Sequence, residues 1–175
     1  MYLEKTQISK LDLVNSLDNN MKIRELEVKD KKQVKNLIFN LFSKWDDLDE
    51  IDMINKEWFN SKEFDLYFNK ILINDNIKFL VLELEDNIVS YIKGEILLRE
   101  PFLKKVGNIS EIYTLEEVRE KGYGKKLFNE LILWFKKNNL DWFVVSTHSL
   151  DEEAISFWEN KGFKEYNKYF KLKNN

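Results

Sequence analysis

The sequence contains no cysteine, a single histidine, a single proline and only five glycines. The missing cysteines exclude a disulfide framework, thiolate-held zinc, an iron–sulfur site and a thiol nucleophile. A cysteine-free, lysine-rich chain suits a reducing compartment, so the expected location is cytoplasmic. With His148 as the lone histidine, a His cluster cannot ligate a metal, and no metal is expected. No stretch approaches the ~20 uncharged apolar residues of a membrane span. The opening Met1-Tyr-Leu-Glu-Lys lacks the apolar core of a leader. Cationic excess is missing too: 28 Lys and Arg face 31 Asp and Glu, a formal charge of −3. Neither nucleic acid, whose phosphates select a basic face, nor a membrane is therefore an expected partner.

Core material is plentiful. Of 175 residues, 43% are hydrophobic and 14% aromatic, enough for one domain that buries roughly 70% of its unfolded surface. Residues 1–20 read as an N-terminal appendage, with a short helix over Ile8–Leu17 and an Asp-Asn-Asn hinge. Residues 21–175 read as the domain. Asp30 stands where a helix N-cap belongs, ahead of Val34, Leu37, Ile38 and Leu41 at helical spacing. An acidic run, Trp45–Asp52, leads into helical sequence up to about Ile73. The period then shifts. Phe79–Leu84 and Ile88–Leu97 read as strands around an Asp86-Asn87 turn, and Gly107–Leu115 as a third. Gly122–Lys137 reads as a helix and Trp142–Val145 as a strand. Ser149-Leu-Asp-Glu152 has the form of a capping box for a helix to about Asn160, with Gly162 as its left-handed stop. Phe163–Leu172 reads as a closing strand. The fold class is α/β, a mixed sheet with helices on both faces.

Two of the five glycines fall in Arg119-Glu-Lys-Gly-Tyr-Gly124, between a strand and a strong helix. Glycine there permits close ligand approach, and the free N–H groups of the following helix favour an anion. Lys125 and Lys126 add positive charge. The competing reading is an ordinary helix-opening turn. A Walker loop is absent, and a dinucleotide fingerprint fails because Leu127 stands where a third glycine is required.

Ile112-Tyr-Thr-Leu-Glu-Glu-Val-Arg-Glu-Lys-Gly-Tyr-Gly124 closely resembles the acyl-CoA motif of the GCN5-related N-acetyltransferase (GNAT) superfamily. Ala154-Ile-Ser-Phe-Trp-Glu-Asn-Lys-Gly-Phe-Lys164 resembles that family's second signature, and Ile23–Asp30 its opening strand and helix cap. The resemblance covers about residues 21–172. It implies a central, mostly antiparallel twisted sheet flanked by helices, with acetyl-CoA as cosubstrate. Carried over, Arg119, Glu120, Lys121, Gly122, Tyr123, Gly124 and Lys125 would serve its pyrophosphate. Ile112, Tyr113 and Thr114 would line its pantetheine, with a strand N–H near Ile112 or Tyr113 polarising the thioester. The implied reaction is direct attack by a primary amine in a ternary complex. The acceptor would be a small molecule or peptide, and homodimerisation is left open. The alternative is a non-catalytic acyl-CoA sensor or scaffold of the same fold.

Two positions depart from the family pattern. Asp151 stands where Asn is frequent, and Trp158 stands at the place of the tyrosine that protonates the leaving thiolate. An indole N–H cannot be that acid, although a thiol of pKa ~8.5 leaves tolerably without one. Water, Tyr166 or Tyr169 are the substitutes. Asp151 also reads as a plain first-turn helix acid. Glu111, just before the thioester strand, is the first choice of base, with Glu83, Glu95 or a water chain as alternatives. His148 reads as a structural loop residue. Five acids in 46–52 would favour a cationic acceptor, or simply solvate a helix start.

Overall fold

The computed structural model describes residues 20–46 and 48–174. The appendage and its short helix lie outside the described residues, apart from position 20. Strand β1 (Met21–Glu25) is followed by a short 3-10 turn and helix α1 (Lys31–Asp46). Two further 3-10 turns lead to α2 (Lys62–Ile73). Strands β2 (Ile77–Leu84), β3 (Asn87–Leu98) and β4 (Lys105–Thr114) come next, then α3 (Tyr123–Lys137), β5 (Phe143–Val145) and α4 (Glu152–Glu159).

The five strands form one sheet in the order β1-β2-β3-β4-β5. The first four are antiparallel neighbours, and β5 runs parallel to β4. Short connections join the antiparallel strands β2, β3 and β4, β1 reaches β2 by way of α1 and α2, and the helical crossover through α3 permits the parallel pair. On one face Val34, Leu37 and Ile38 of α1 and Phe64, Phe68 and Ile71 of α2 join Phe79, Val81, Tyr91 and Tyr113 of the sheet in a buried cluster. On the other face α3 buries Leu127, Leu131 and Phe135. It sits so close that a Cβ at Gly94 or Gly107 would lie 2.7 Å from Leu131 or Phe135. Those two glycines let the helix approach the sheet.

Several local expectations need correction. Asp30 is not an N-cap. It ends the 3-10 turn Val28–Asp30, accepts the Glu27 N–H at 2.8 Å, and receives Arg24 through both guanidinium nitrogens. Arg24 also donates to Glu83, so this cluster staples β1, β2 and the helix entry together. The β2–β3 turn lies one residue earlier than expected: Glu85 and Asp86 carry φ of 48° and 65°, the paired left-handed geometry that suits a two-residue hairpin.

A second compact unit comprises Ser146–Asn175. Its helix α4 is capped by Asp151, whose carboxylate accepts the Ala154 N–H at 3.1 Å, so the Ser149 capping box is not the one used. Gly162, at φ 88°, ends the helix as expected. The Gly162 N–H bonds the Glu159 carbonyl and the Phe163 N–H bonds the Trp158 carbonyl, a complete Schellman stop. The expected strand Phe163–Leu172 does not form. Tyr166, Tyr169, Phe170 and Leu172 are exposed, and Lys168 pairs with Glu165 at 3.1 Å rather than facing a neighbouring strand.

Candidate active site

β4 outlasts its parallel neighbour. Its pairing with β5 stops at Ile109↔Val145, while β4 continues to Thr114. Opposite β3 the register shifts between Lys93 and Gly94, leaving Ser110 as an extra residue in β4. Beyond this bulge the Leu115 N–H bonds the Val89 carbonyl. Antiparallel alternation then turns the backbone groups of Tyr113 and Glu111 toward β3, and those of Ile112 and Thr114 away from it. Among the described residues of the sheet, no strand meets that second edge. The Thr114 carbonyl is taken by Arg119 Nε at 3.1 Å. The strand N–H groups on the open edge are therefore those of Ile112 and Thr114, while that of Tyr113 faces β3.

The loop after β4 delivers α3 against the same edge. Glu120 takes φ 66° and Gly122, the N-cap of α3, φ 77°. No side chain caps that N-cap, and no acid stands in the first turn. The leading N–H groups of a fifteen-residue helix are thus left for an anion, with Lys125 and Lys126 alongside. Gly124 adds an independent sign. A Cβ there would meet Thr114 Oγ1 at 3.6 Å and Ile112 Cδ1 at 3.7 Å, ordinary contacts. The protein's own packing does not require this glycine, which leaves the space beside the strand to a ligand. Lys121 flanks the turn, and Tyr123 is buried beneath it. Arg119 braces the loop and lies 5.7 Å from the Tyr113 ring.

Glu111 lies on the α1–α2 face, and its side chain is 5% exposed. Its Oε1 accepts Lys93 Nζ at 2.8 Å and Tyr67 Oη at 2.6 Å. Its Oε2 accepts Tyr91 Oη at 3.0 Å. These three donors fix the position of the carboxylate. Burial, and next the charge of Glu111, push the Tyr67 and Tyr91 phenols far above their usual range. Burial also raises Tyr113. The other base candidates lie elsewhere: Glu83 is paired with Arg24, and Glu95 sits further along β3 on the Lys93 face. Sequence reasoning missed Lys93, Tyr67 and Tyr91. The one available signal was Lys93, directly after the mostly apolar run Ile88–Ile92.

Of the acids in 46–52, Asp46 and Asp49 accept backbone N–H groups at Ile54 and Ile51, so part of this run shapes its own turns. Asp47 lies outside the described residues. In the smaller unit, Asp151 is a helix cap, and Trp158 packs its ring against Phe157 at 4.9 Å and Phe163 at 5.4 Å. His148 Nδ1 accepts the Leu150 N–H, a loop-shaping contact.

Residues 45–163 match the acetyltransferase (GNAT) family. The chain belongs to that family. No curated protein matches the sequence. Solved structures share the GNAT fold along nearly their whole length. A tetramutant of the BH1408 protein from Bacillus halodurans is similar at a TM-score of 0.78 and 19% identity, covering 87% of this chain and 99% of that one. AAC(6')-Iy, an aminoglycoside N-acetyltransferase in complex with the bisubstrate analogue CoA-S-monomethyl-acetylneamine, gives 0.68 and 14%, with 89% and 98% coverage. The aminoglycoside acetyltransferase meta-AAC0020, from an uncultured soil metagenomic sample and in complex with sisomicin, gives 0.67 and 22%, with 91% and 99% coverage. As a GNAT sheet, the one described here has the expected mixed architecture flanked by helices. Among the described residues, no helix is long and apolar enough to cross a membrane.

Proposed function

We propose that the chain is an acetyl-CoA-dependent N-acetyltransferase acting on a primary amine by direct attack in a ternary complex. One observation carries this reading: the side chains of Ile112 and Thr114, whose backbone forms the open β4 edge, lie within van der Waals reach of a Cβ placed at Gly124, in the uncapped first turn of α3. A strand edge and a helix N-terminus so joined fit an acyl chain ending in a pyrophosphate. Acetyl-CoA supplies the activated thioester. Glu120–Lys125 would hold its pyrophosphate, and Ile112 and Thr114 its pantetheine arm.

The chain's contribution is positioning and polarisation. The Ile112 N–H is a fixed donor for a carbonyl that gains negative charge during attack. Holding two reactants in one cleft removes much of the entropic barrier. The amine nitrogen forms a C–N bond as the C–S bond breaks, and the thiolate leaves with a proton from water, since Trp158 has none to give. Glu111 is the proposed base. Because its oxygens already accept three donors, an incoming proton reaches it only by way of one of them. The acceptor is proposed as a small-molecule or peptide amine.

Thermal-shift measurements with CoA, ATP and NAD, followed by thiol release over a panel of amines, test the reading. CoA alone should protect, and at least one amine should release thiol from acetyl-CoA. CoA protection without thiol release would instead support a non-catalytic acyl-CoA sensor.

A further inference from the structure

Within the Glu111 cluster, Tyr67 is the least buried member. Tyr91 is fully buried, and Lys93 and Glu111 are 8% and 7% exposed. Tyr67, on α2, is the member with partial exposure. Its ring is set by Trp58 at 5.5 Å and Phe64 at 6.0 Å. A phenol has one proton and two lone pairs. The proton goes to Glu111 Oε1. One lone pair faces Lys93 Nζ at a long 3.4 Å, with that ammonium 4.9 Å from the ring centroid. Among the described residues, the second lone pair has no such neighbour.

We propose that Tyr67 is the residue that meets the acceptor amine, and that Glu111 acts on the amine through it. This rests on the acetyltransferase reading above. The acceptor's ammonium N–H donates to Tyr67 Oη, and the nitrogen lone pair needed for attack is freed when that proton leaves. As the proton leaves, that N–H and the Tyr67 O–H break, while one O–H forms on Tyr67 and another on Glu111 Oε1. The groups facing Tyr67 are Glu111 from β4 and Lys93, Tyr91 and Glu95 from β3. Burial first, and then the charge and hydrogen bond of Glu111, keep the phenol protonated, so both transfers occur in one movement without a free tyrosinate.

The test compares Tyr67→Phe, Glu111→Gln and the double variant with the wild type, using acetyl-CoA with spermidine, a lysine ester and sisomicin as acceptors. CoA-induced stabilisation checks that each variant folds and holds the donor. Tyr67→Phe should lower kcat by ~10² at neutral pH and raise the acceptor KM. The acetyl-CoA KM should stay unchanged, and the loss should shrink as pH nears the amine's own pKa. The double variant should be no slower than Glu111→Gln, since both residues lie on one route. A folded Tyr67→Phe with wild-type acceptor kinetics overturns the proposal. So does a pH-independent loss, or losses that multiply in the double variant. A wild type that binds CoA and acetylates none of the amines overturns the reaction and this contact together.

Discussion

Lys93 and Glu111 stand directly opposite each other on β3 and β4, with 2.8 Å between Nζ and Oε1, beside the bulge at Ser110. Removing one partner strands a charge in a dry site, whereas an apolar pair of similar volume avoids the desolvation penalty. Lys93→Met should therefore destabilise by about 3–5 kcal/mol in urea unfolding. Lys93→Met/Glu111→Leu should recover part of that, short of what the Tyr67 and Tyr91 hydroxyls lose as partners. A single-variant loss under about 1 kcal/mol would place the pair among solvent-screened surface bridges.

The two loop glycines should separate in their effects. Gly122 holds φ 77° with open space at its Cβ position, so Gly122→Ala should cost about 1 kcal/mol through the left-handed backbone alone. Gly124 lies in the first turn of α3 with room for a Cβ, so Gly124→Ala should leave the free protein as stable or up to ~1 kcal/mol more stable, while weakening CoA. Gly124→Glu should abolish CoA-induced stabilisation, since bulk and charge both oppose a pyrophosphate. Normal CoA protection of a folded Gly124→Glu would move the phosphate site elsewhere.

Trp158 forms the hydrophobic contact of a Schellman stop with Phe163, so its loss should be felt in packing. Trp158→Phe should lower Tm by several degrees, of the order of 2–4 °C per kcal/mol for a chain this size, while turnover barely changes. Trp158→Tyr adds a phenolic proton and should raise turnover if it reaches the leaving thiolate. A large drop in turnover at unchanged Tm in the Phe variant would contradict the packing role.

Acid stability should depend on Asp30. Burial raises its pKa, but the hydrogen bonds from Arg24 and the Glu27 N–H outweigh this and hold it below the ordinary value of 3.8. A carboxylate depressed in the folded state contributes stability that is fully present above its unfolded pKa. That contribution is lost as pH falls through the folded value. Asp30→Asn should thus be destabilised at neutral pH and show a flatter stability profile below pH ~4. An unchanged acid limb in melts across pH 2–6 would remove Asp30 from the acid transition.

Local features were legible where local chemistry decides them. The Gly122–Gly124 turn, the amphipathic stripe of α3 and the Gly162 stop all follow from residues within a few positions of one another. What stayed hidden depends on distant partners. Glu111 was visible as an acid beside the thioester strand. Its attachment to Tyr67, 44 residues away, and to Lys93, 18 away, arises only when β3, β4 and α2 assemble. The bulge at Ser110, which turns the Ile112 N–H outward, leaves no mark in residue type. Phe163–Leu172 shows the converse failure. Aromatic and lysine residues there have the composition of a strand, but strand propensity expresses packing against neighbours, and this segment finds no ladder. Asp30 was placed at the right helix start with the wrong partner, because Arg24 competes for its carboxylate.

The most direct measurement is thiol release from acetyl-CoA by the wild-type chain in the presence of spermidine, a lysine ester or sisomicin, run beside Gly124→Glu. The acetyltransferase reading predicts amine-dependent release by the wild type, an acetylated amine of matching stoichiometry by mass spectrometry, and none from the variant. CoA protection of the wild type with no amine-dependent release would contradict it.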